Sequence, residues 1–160
     1  MAKKNNNPIS TENSEAKTDP ILINAQFVRD LSFEAPTMPE ILSDIVSSPP
    51  QINVNVNVST KKFDNSVFEV GLEIESKAMV GDKTGFILEL EYCGIFTLNC
   101  DPEVEKPLVL IECPRLLFPF ARSILAQTTR DAGFPPLMLG NVDFAKMYRE
   151  GVENKDAGKK

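Results

Sequence analysis

Residues 52–59 read Ile-Asn-Val-Asn-Val-Asn-Val-Ser, and this strict alternation constrains the fold more than any other stretch of the chain. Successive side chains of a strand point to opposite faces, so Ile52, Val54, Val56 and Val58 share one face and Asn53, Asn55, Asn57 and Ser59 the other. A helix would scatter the same β-branched residues around its circumference. The segment therefore belongs to a sheet with one apolar face and one wet face, the usual antiparallel pattern.

Three further segments carry the same period. In the first, Ile21, Ile23, Ala25 and Phe27 alternate with Leu22, Asn24 and Gln26, and the phase continues through Leu31 and Phe33. Arg29 interrupts that apolar face, and Pro36 ends the pairing. Another sets Phe68, Val70, Leu72 and Ile74 against Glu69, Gly71, Glu73 and Glu75. The last sets Phe86, Leu88, Leu90 and Tyr92 against Ile87, Glu89, Glu91 and Cys93. Asp64-Asn65 and Gly81-Asp82 supply turn chemistry at the two joins, so strands two to four read as an antiparallel meander.

The connection 37–50 is too long and too rich in proline for a hairpin. It carries Met38, Ile41, Leu42, Ile45 and Val46, which must pack on something, and long connections of this kind are often functional. Beyond Leu98, Pro102, Pro107 and Pro114 are expected to break regular structure. Pro114 then suits the first turn of a helix, where its missing N–H costs little. Leu116, Leu117, Phe120, Ala121, Ile124, Leu125 and Thr128 form a stripe at helical spacing. Gly133 caps that helix and Pro135-Pro136 stops it. Asp143 can cap a second, short helix with Phe144, Met147 and Tyr148 on its inner side. The folded domain is expected over 20–150, between a polar, disordered N-terminal tail (1–19) and a flexible C-terminal tail (151–160).

Little in the chain offers chemistry. It has no histidine, which removes Ser-His-Asp and Cys-His arrangements, and its glycines make no phosphate-cradling loop. Cys93, Cys100 and Cys113 are odd in number and irregularly spaced, so they read as free thiols in a reducing compartment and not as a disulfide framework or a metal site. A net charge of −6 and a pI near 4.8 argue against nucleic acid as the main partner. No apolar leader follows Met1, and no run reaches the ~18 apolar residues of a membrane span, so a cytoplasmic location is expected.

Two features remain. Glu69, Glu73, Glu75, Glu89 and Glu91 share one sheet face, which is either a solvated exterior or a docking surface for a basic partner. Apolar side chains are also in surplus. Phe118 lies away from the main helical stripe, and Leu88, Leu90 and Tyr92 could pair across a two-fold axis, so either the core is thick or the chain assembles with itself. A binder of unfolded chains and a carrier of one small hydrophobic ligand both fit this surplus.

Four motifs in order narrow the choice. LSFEAP at 31–36, CGIF at 93–96, CPRLLFPFAR at 113–122 and GFPPLML at 133–139 together resemble the SecB family of protein-export chaperones. The resemblance implies an α+β fold: a four-stranded antiparallel sheet with a long and a short C-terminal helix packed on one face. It also implies a homotetramer built as a dimer of dimers, with Phe118, Ala121, Arg122 and Leu125 between dimers and Leu88, Leu90 and Tyr92 within them.

By the same resemblance the protein is no enzyme and needs no cofactor. It would hold unfolded preproteins without ATP and pass them to the SecA motor, which docks on the acidic outer sheet face around Asp30, Glu34, Ile87 and Glu89. Any zinc belongs to that partner's basic tail. Preprotein would lie in grooves lined by Met38, Ile41, Leu42 and Ile45 from the 37–50 connection and by Phe134, Pro135, Phe144, Met147 and Tyr148 from the helical side. The connection holds no aromatic residue, so the aromatic part of any groove must come from the second helix.

Overall fold

In the computed structural model, which describes residues 19–157, four strands form one antiparallel sheet in the order β1-β4-β3-β2. The strands are β1 (Ile21–Glu34), β2 (Gln51–Lys62), β3 (Val67–Val80) and β4 (Lys83–Leu98). Strands β2 to β4 form the expected meander, and β1 returns to pair with β4. The alternation of β3 and β4 translates directly into burial. Val70, Leu72, Ile74, Phe86, Leu88 and Leu90 are each at most 2% exposed on the inner face, while Glu73, Glu75 and Glu89 point outward.

Strand β2 keeps its alternation but not its burial. It is an edge strand, and Ile52 and Val54 remain 38% and 39% exposed on the inner face. The single phase expected for β1 is also corrected. Register shifts between Ile23 and Ala25 and between Val28 and Asp30 mark two β-bulges, with Asn24 and Arg29 as the extra residues. The first bulge turns Ala25 and Phe27, opposite Ile95 and Cys93, to the outer face; the second returns Leu31 and Phe33 to the inner one.

The 37–50 connection holds a short helix, α1 (Leu42–Ser47), and is anchored at its start and within that helix. The Thr37 hydroxyl donates to the Thr84 carbonyl at 2.7 Å, and Lys83 pairs with Asp44 at 2.8 Å.

The largest departure lies after Leu98. Prolines do not break the chain there. Instead α2 (Pro102–Pro107) runs through a five-residue π-helical segment, Leu108–Glu112, into α3 (Cys113–Asp131). The Cys113 N–H bonds the carbonyl of Leu108, five residues back. Pro107 and Pro114 bracket this widened turn, and widening the ladder there accommodates rings that lack an amide hydrogen. Helix α3 buries Pro114, Leu117, Phe118, Ala121, Leu125 and Thr129. Its covered face is therefore rotated from the expected stripe, leaving Leu116 and Phe120 40% and 50% exposed.

Gly94 on β4 lets α3 approach the sheet. A Cβ at that position would lie 2.8 Å from Leu117 Cδ2. At the far end, Gly133 takes a φ of 87°, and the Phe134 N–H closes onto the Thr129 carbonyl, ending the helix. Buried Thr129 also accepts from the Leu137 N–H at 2.9 Å, pinning the extended 135–140 segment to α3.

The last helix, α4 (Phe144–Ala157), starts where expected, with Asp143 accepting from the Lys146 N–H at 2.9 Å. It continues past the expected boundary at 150, so 151–157 is helical and only 158–160 of the proposed tail lies outside the described residues. Residues 1–18 of the proposed N-terminal tail also lie outside them.

Candidate functional site

The outer sheet face gathers carboxylates by register. Asp30 of β1 lies opposite Glu91 of β4, which lies opposite Glu73 of β3. One row on, Ser32, Glu89 and Glu75 are aligned, and then Glu34, Ile87 and Lys77. Asp30, Glu34, Ile87 and Glu89 thus meet on one face at one end of the β1–β4 ladder. Like charges directly opposite one another oppose pairing, so this face is held together against its own electrostatics.

Arg29 relieves part of that repulsion. Its guanidinium donates to Glu91 Oε1 at 3.0 Å and to Glu69 Oε2 at 2.7 Å, reaching across β4 to β3. The bond from Arg29 holds the Glu69 carboxyl below its ordinary range. Under this clamp Cys93 is fully buried, and burial pushes its thiol up to about 11. Cys113, in the core, is pushed to about 12 for the same reason. Among the described residues no group of three or more Cys, Asp or Glu side chains is arranged to hold a metal ion.

The residues expected to line one groove fall into two places. Met38, Leu42 and Phe134 meet near the turn after α3. A Cβ at Gly133 would lie 3.6 Å from Met38 Cε and 4.0 Å from Leu42 Cδ2, and the Phe134 ring packs on Phe86 and Phe33 with centroids 5.1 and 6.3 Å away. Ile45 is half-buried beside the core and Pro135 is exposed. Met147 and Tyr148 line a separate open cleft of about 200 Å³ with Val58, Lys106, Leu110, Gly151 and Val152. Ile41, Phe134 and Phe144 are 0%, 4% and 1% exposed. They support these surfaces from beneath, which corrects their expected place as lining.

Most of the residues expected at assembly contacts are covered within the single chain. Leu88, Leu90, Tyr92, Phe118, Ala121 and Leu125 are all buried within the chain, because α3 covers β4 and α4 covers Phe118. Arg122 is half-buried and donates to the Leu139 carbonyl at 3.4 Å. Some exposed apolar side chains lie one strand over. Ile23, Val28 and Leu31 project from the inner face of edge strand β1. Phe120, stacked on Tyr92 at 6.3 Å, and Leu116 project from α3.

The model of the family described as preprotein translocase subunit SecB matches residues 14–155. The chain belongs to the SecB family. It is 49% identical over 147 residues to the protein-export protein SecB of a Bradyrhizobium species, covering 91% of this chain and 90% of that one. It is 45% identical over 134 residues to the SecB of Rhodospirillum rubrum, covering 84% and 83%. Among solved structures it is similar to a SecB-like chaperone of Mycobacterium tuberculosis in complex with a ChAD peptide from an antitoxin. That likeness has a TM-score of 0.65 at 12% identity, covers 77% of this chain and 91% of that one, and is a likeness of fold.

As a SecB family member the chain is a protein-export chaperone. Among the described residues no helix is long and apolar enough to cross a membrane. Reading the sequence missed Lys106, Leu110 and Val152 as lining residues. For Leu110 a signal lies in the apolar run Leu108–Ile111, but Pro107 and Pro114 on either side argue against a helix. Val58 reads as an inner-face residue, and nothing in the sequence marks that the helices leave it partly uncovered.

Proposed function

We propose that this SecB family member is an ATP-independent holdase of the cytoplasm. It binds unfolded preproteins at its apolar surfaces and delivers them to SecA. The observation that carries the reading is the separation of two surfaces on opposite sides of one sheet. The open cleft of Val58, Leu110, Met147 and Tyr148 and the exposed side chains of Ile23, Val28 and Leu31 lie on the helix side, and the carboxylates of Asp30, Glu34 and Glu89 lie on the other. Apolar burial is non-directional and tolerates many client sequences. A client touching several such clefts gains effective concentration, so each contact can stay weak and releasable. Met38, Leu42, Ile45 and Pro135 supply a second patch for the same client.

SecA would dock on the acidic face through Asp30, Glu34, Ile87 and Glu89. Opposed carboxylates at a stability cost are reasonable where a basic partner neutralises them. Four copies would assemble as a dimer of dimers. The exposed apolar side chains of Ile23, Val28, Leu31, Leu116 and Phe120 would supply one of the contact surfaces.

Amide exchange tests the client surface. An unfolded preprotein should slow exchange in α4 and in the residues of β2 around Val58. Equal exchange rates with and without the preprotein would overturn that placement.

A further inference from the structure

We infer that Arg29 is a positioning residue: it locks the second bulge of β1 and thereby holds Asp30 and Glu34 on the outer face for SecA. The inference rests on the docking reading given above. Val28 faces inward opposite Tyr92. Without an extra residue at 29, strict alternation would turn Asp30, Ser32 and Glu34 toward the helices and Leu31 and Phe33 toward solvent. The bulge exchanges the two sets.

Two anchors flank it. On the inner side Phe33 stacks on Phe86 with ring centroids 5.5 Å apart. On the outer side Arg29 bonds Glu91 of β4 and Glu69 of β3, and its guanidinium lies 5.5 Å from the Phe27 ring centroid. One side chain therefore ties three strands together at the bulge. The first bulge uses the same device on a smaller scale, since the extra residue Asn24 donates to Thr97 Oγ1 of β4 at 2.7 Å. An exposed ion pair alone contributes little to stability. Here the accepting carboxylates are only 13% and 27% exposed, and a guanidinium fork shared between them fixes direction as well as distance. Arg29 also leaves the docking carboxylates free, for among the described residues Asp30, Glu34 and Glu89 have no ion-pair partner.

The sign of one substitution separates this role from simple electrostatics. Removing Arg29 makes the outer face more negative, which by charge alone would tighten a cationic partner. A positioning role demands the opposite. Titrating full-length SecA against the full chain, Arg29→Ala should weaken binding by about tenfold and speed amide exchange over residues 28–34. Arg29→Lys keeps the charge but cannot present the same fork. It should fold normally and lose affinity to a lesser degree. Asp30→Lys serves as the control for docking. Should it leave SecA affinity unchanged, docking at this face is wrong and the positioning role falls with it. Should Asp30→Lys weaken binding while Arg29→Ala binds as well as the parent, binds more tightly or leaves exchange unaltered, docking stands and the inference is overturned.

Discussion

Phe118 meets Phe144 edge-on, with ring centroids 5.9 Å apart and planes at 74°, and so ties the long helix to the last helix within one chain. A residue that the sequence offers as a contact between subunits is thereby a contact inside one. Phe118→Ala should destabilise the fold by about 3–5 kcal/mol, the ordinary cost of emptying a buried aromatic site. Phe120, half exposed, should behave differently: Phe120→Ala should leave secondary structure intact and shift the protein toward smaller assemblies. Thermal unfolding and light scattering on the two variants check this contrast.

Gly94 sets how closely helix and sheet approach. A methyl group there would lie 2.7 Å from Phe96 Cε2 and 2.8 Å from Leu117 Cδ2. Gly94→Ala should therefore cost about 1–3 kcal/mol by overpacking, with denaturant midpoints as the measure. Gly140, with nothing within 4 Å of an added Cβ, provides the comparison: Gly140→Ala should leave the midpoint close to that of the parent.

Burial is most readable where a strand has a neighbour on each side. Strands β3 and β4 show their period because each is paired on both sides and packed by α3, so every second residue is driven inward. Strand β1 hides its geometry. Asn24 and Arg29 look like ordinary polar interruptions, and nothing local marks them as extra residues whose side chains are tied to Thr97, Glu91 and Glu69. Because the two bulges cancel, the simple alternation still places Leu31, Phe33, Asp30 and Glu34 on the right faces while misplacing Ala25 and Phe27. The helical half was less legible. Pro107 and Pro114 speak locally for a break, yet the helix continues through the π-helical turn between them.

The thiols give a pH signature. Burial raises the folded-state value of Cys113 from 9.0 to about 12. An unfolded chain would lose that proton first, so the contribution of Cys113 to stability is intact below pH 9.0 and is lost as pH rises toward 12. Glu69 acts in the opposite range. Arg29 lowers its value from 4.5, so its contribution is present above pH 4.5 and fades as pH falls through the folded value. Stability measured against pH should therefore decline on both flanks, and Cys113→Ser should flatten the alkaline one. At neutral pH, Cys93 and Cys113 should react with iodoacetamide far more slowly than half-buried Cys100.

Reversing charge at the acidic end of the sheet should separate partner from client. The double variant Asp30→Lys, Glu89→Lys should weaken SecA binding and leave preprotein binding unaltered, because these side chains face away from the helical side. Parallel titrations with SecA and with an unfolded preprotein distinguish the two. Equal losses in both would place client and motor on one surface, contrary to the account.

The holding activity itself is the most direct test. A slowly folding preprotein diluted from denaturant aggregates, and turbidity follows it in the absence of any nucleotide. Stoichiometric amounts of this protein should keep the solution clear, and the held preprotein should remain competent for transfer to SecA. Turbidity that rises as fast with the protein as without it would contradict the account.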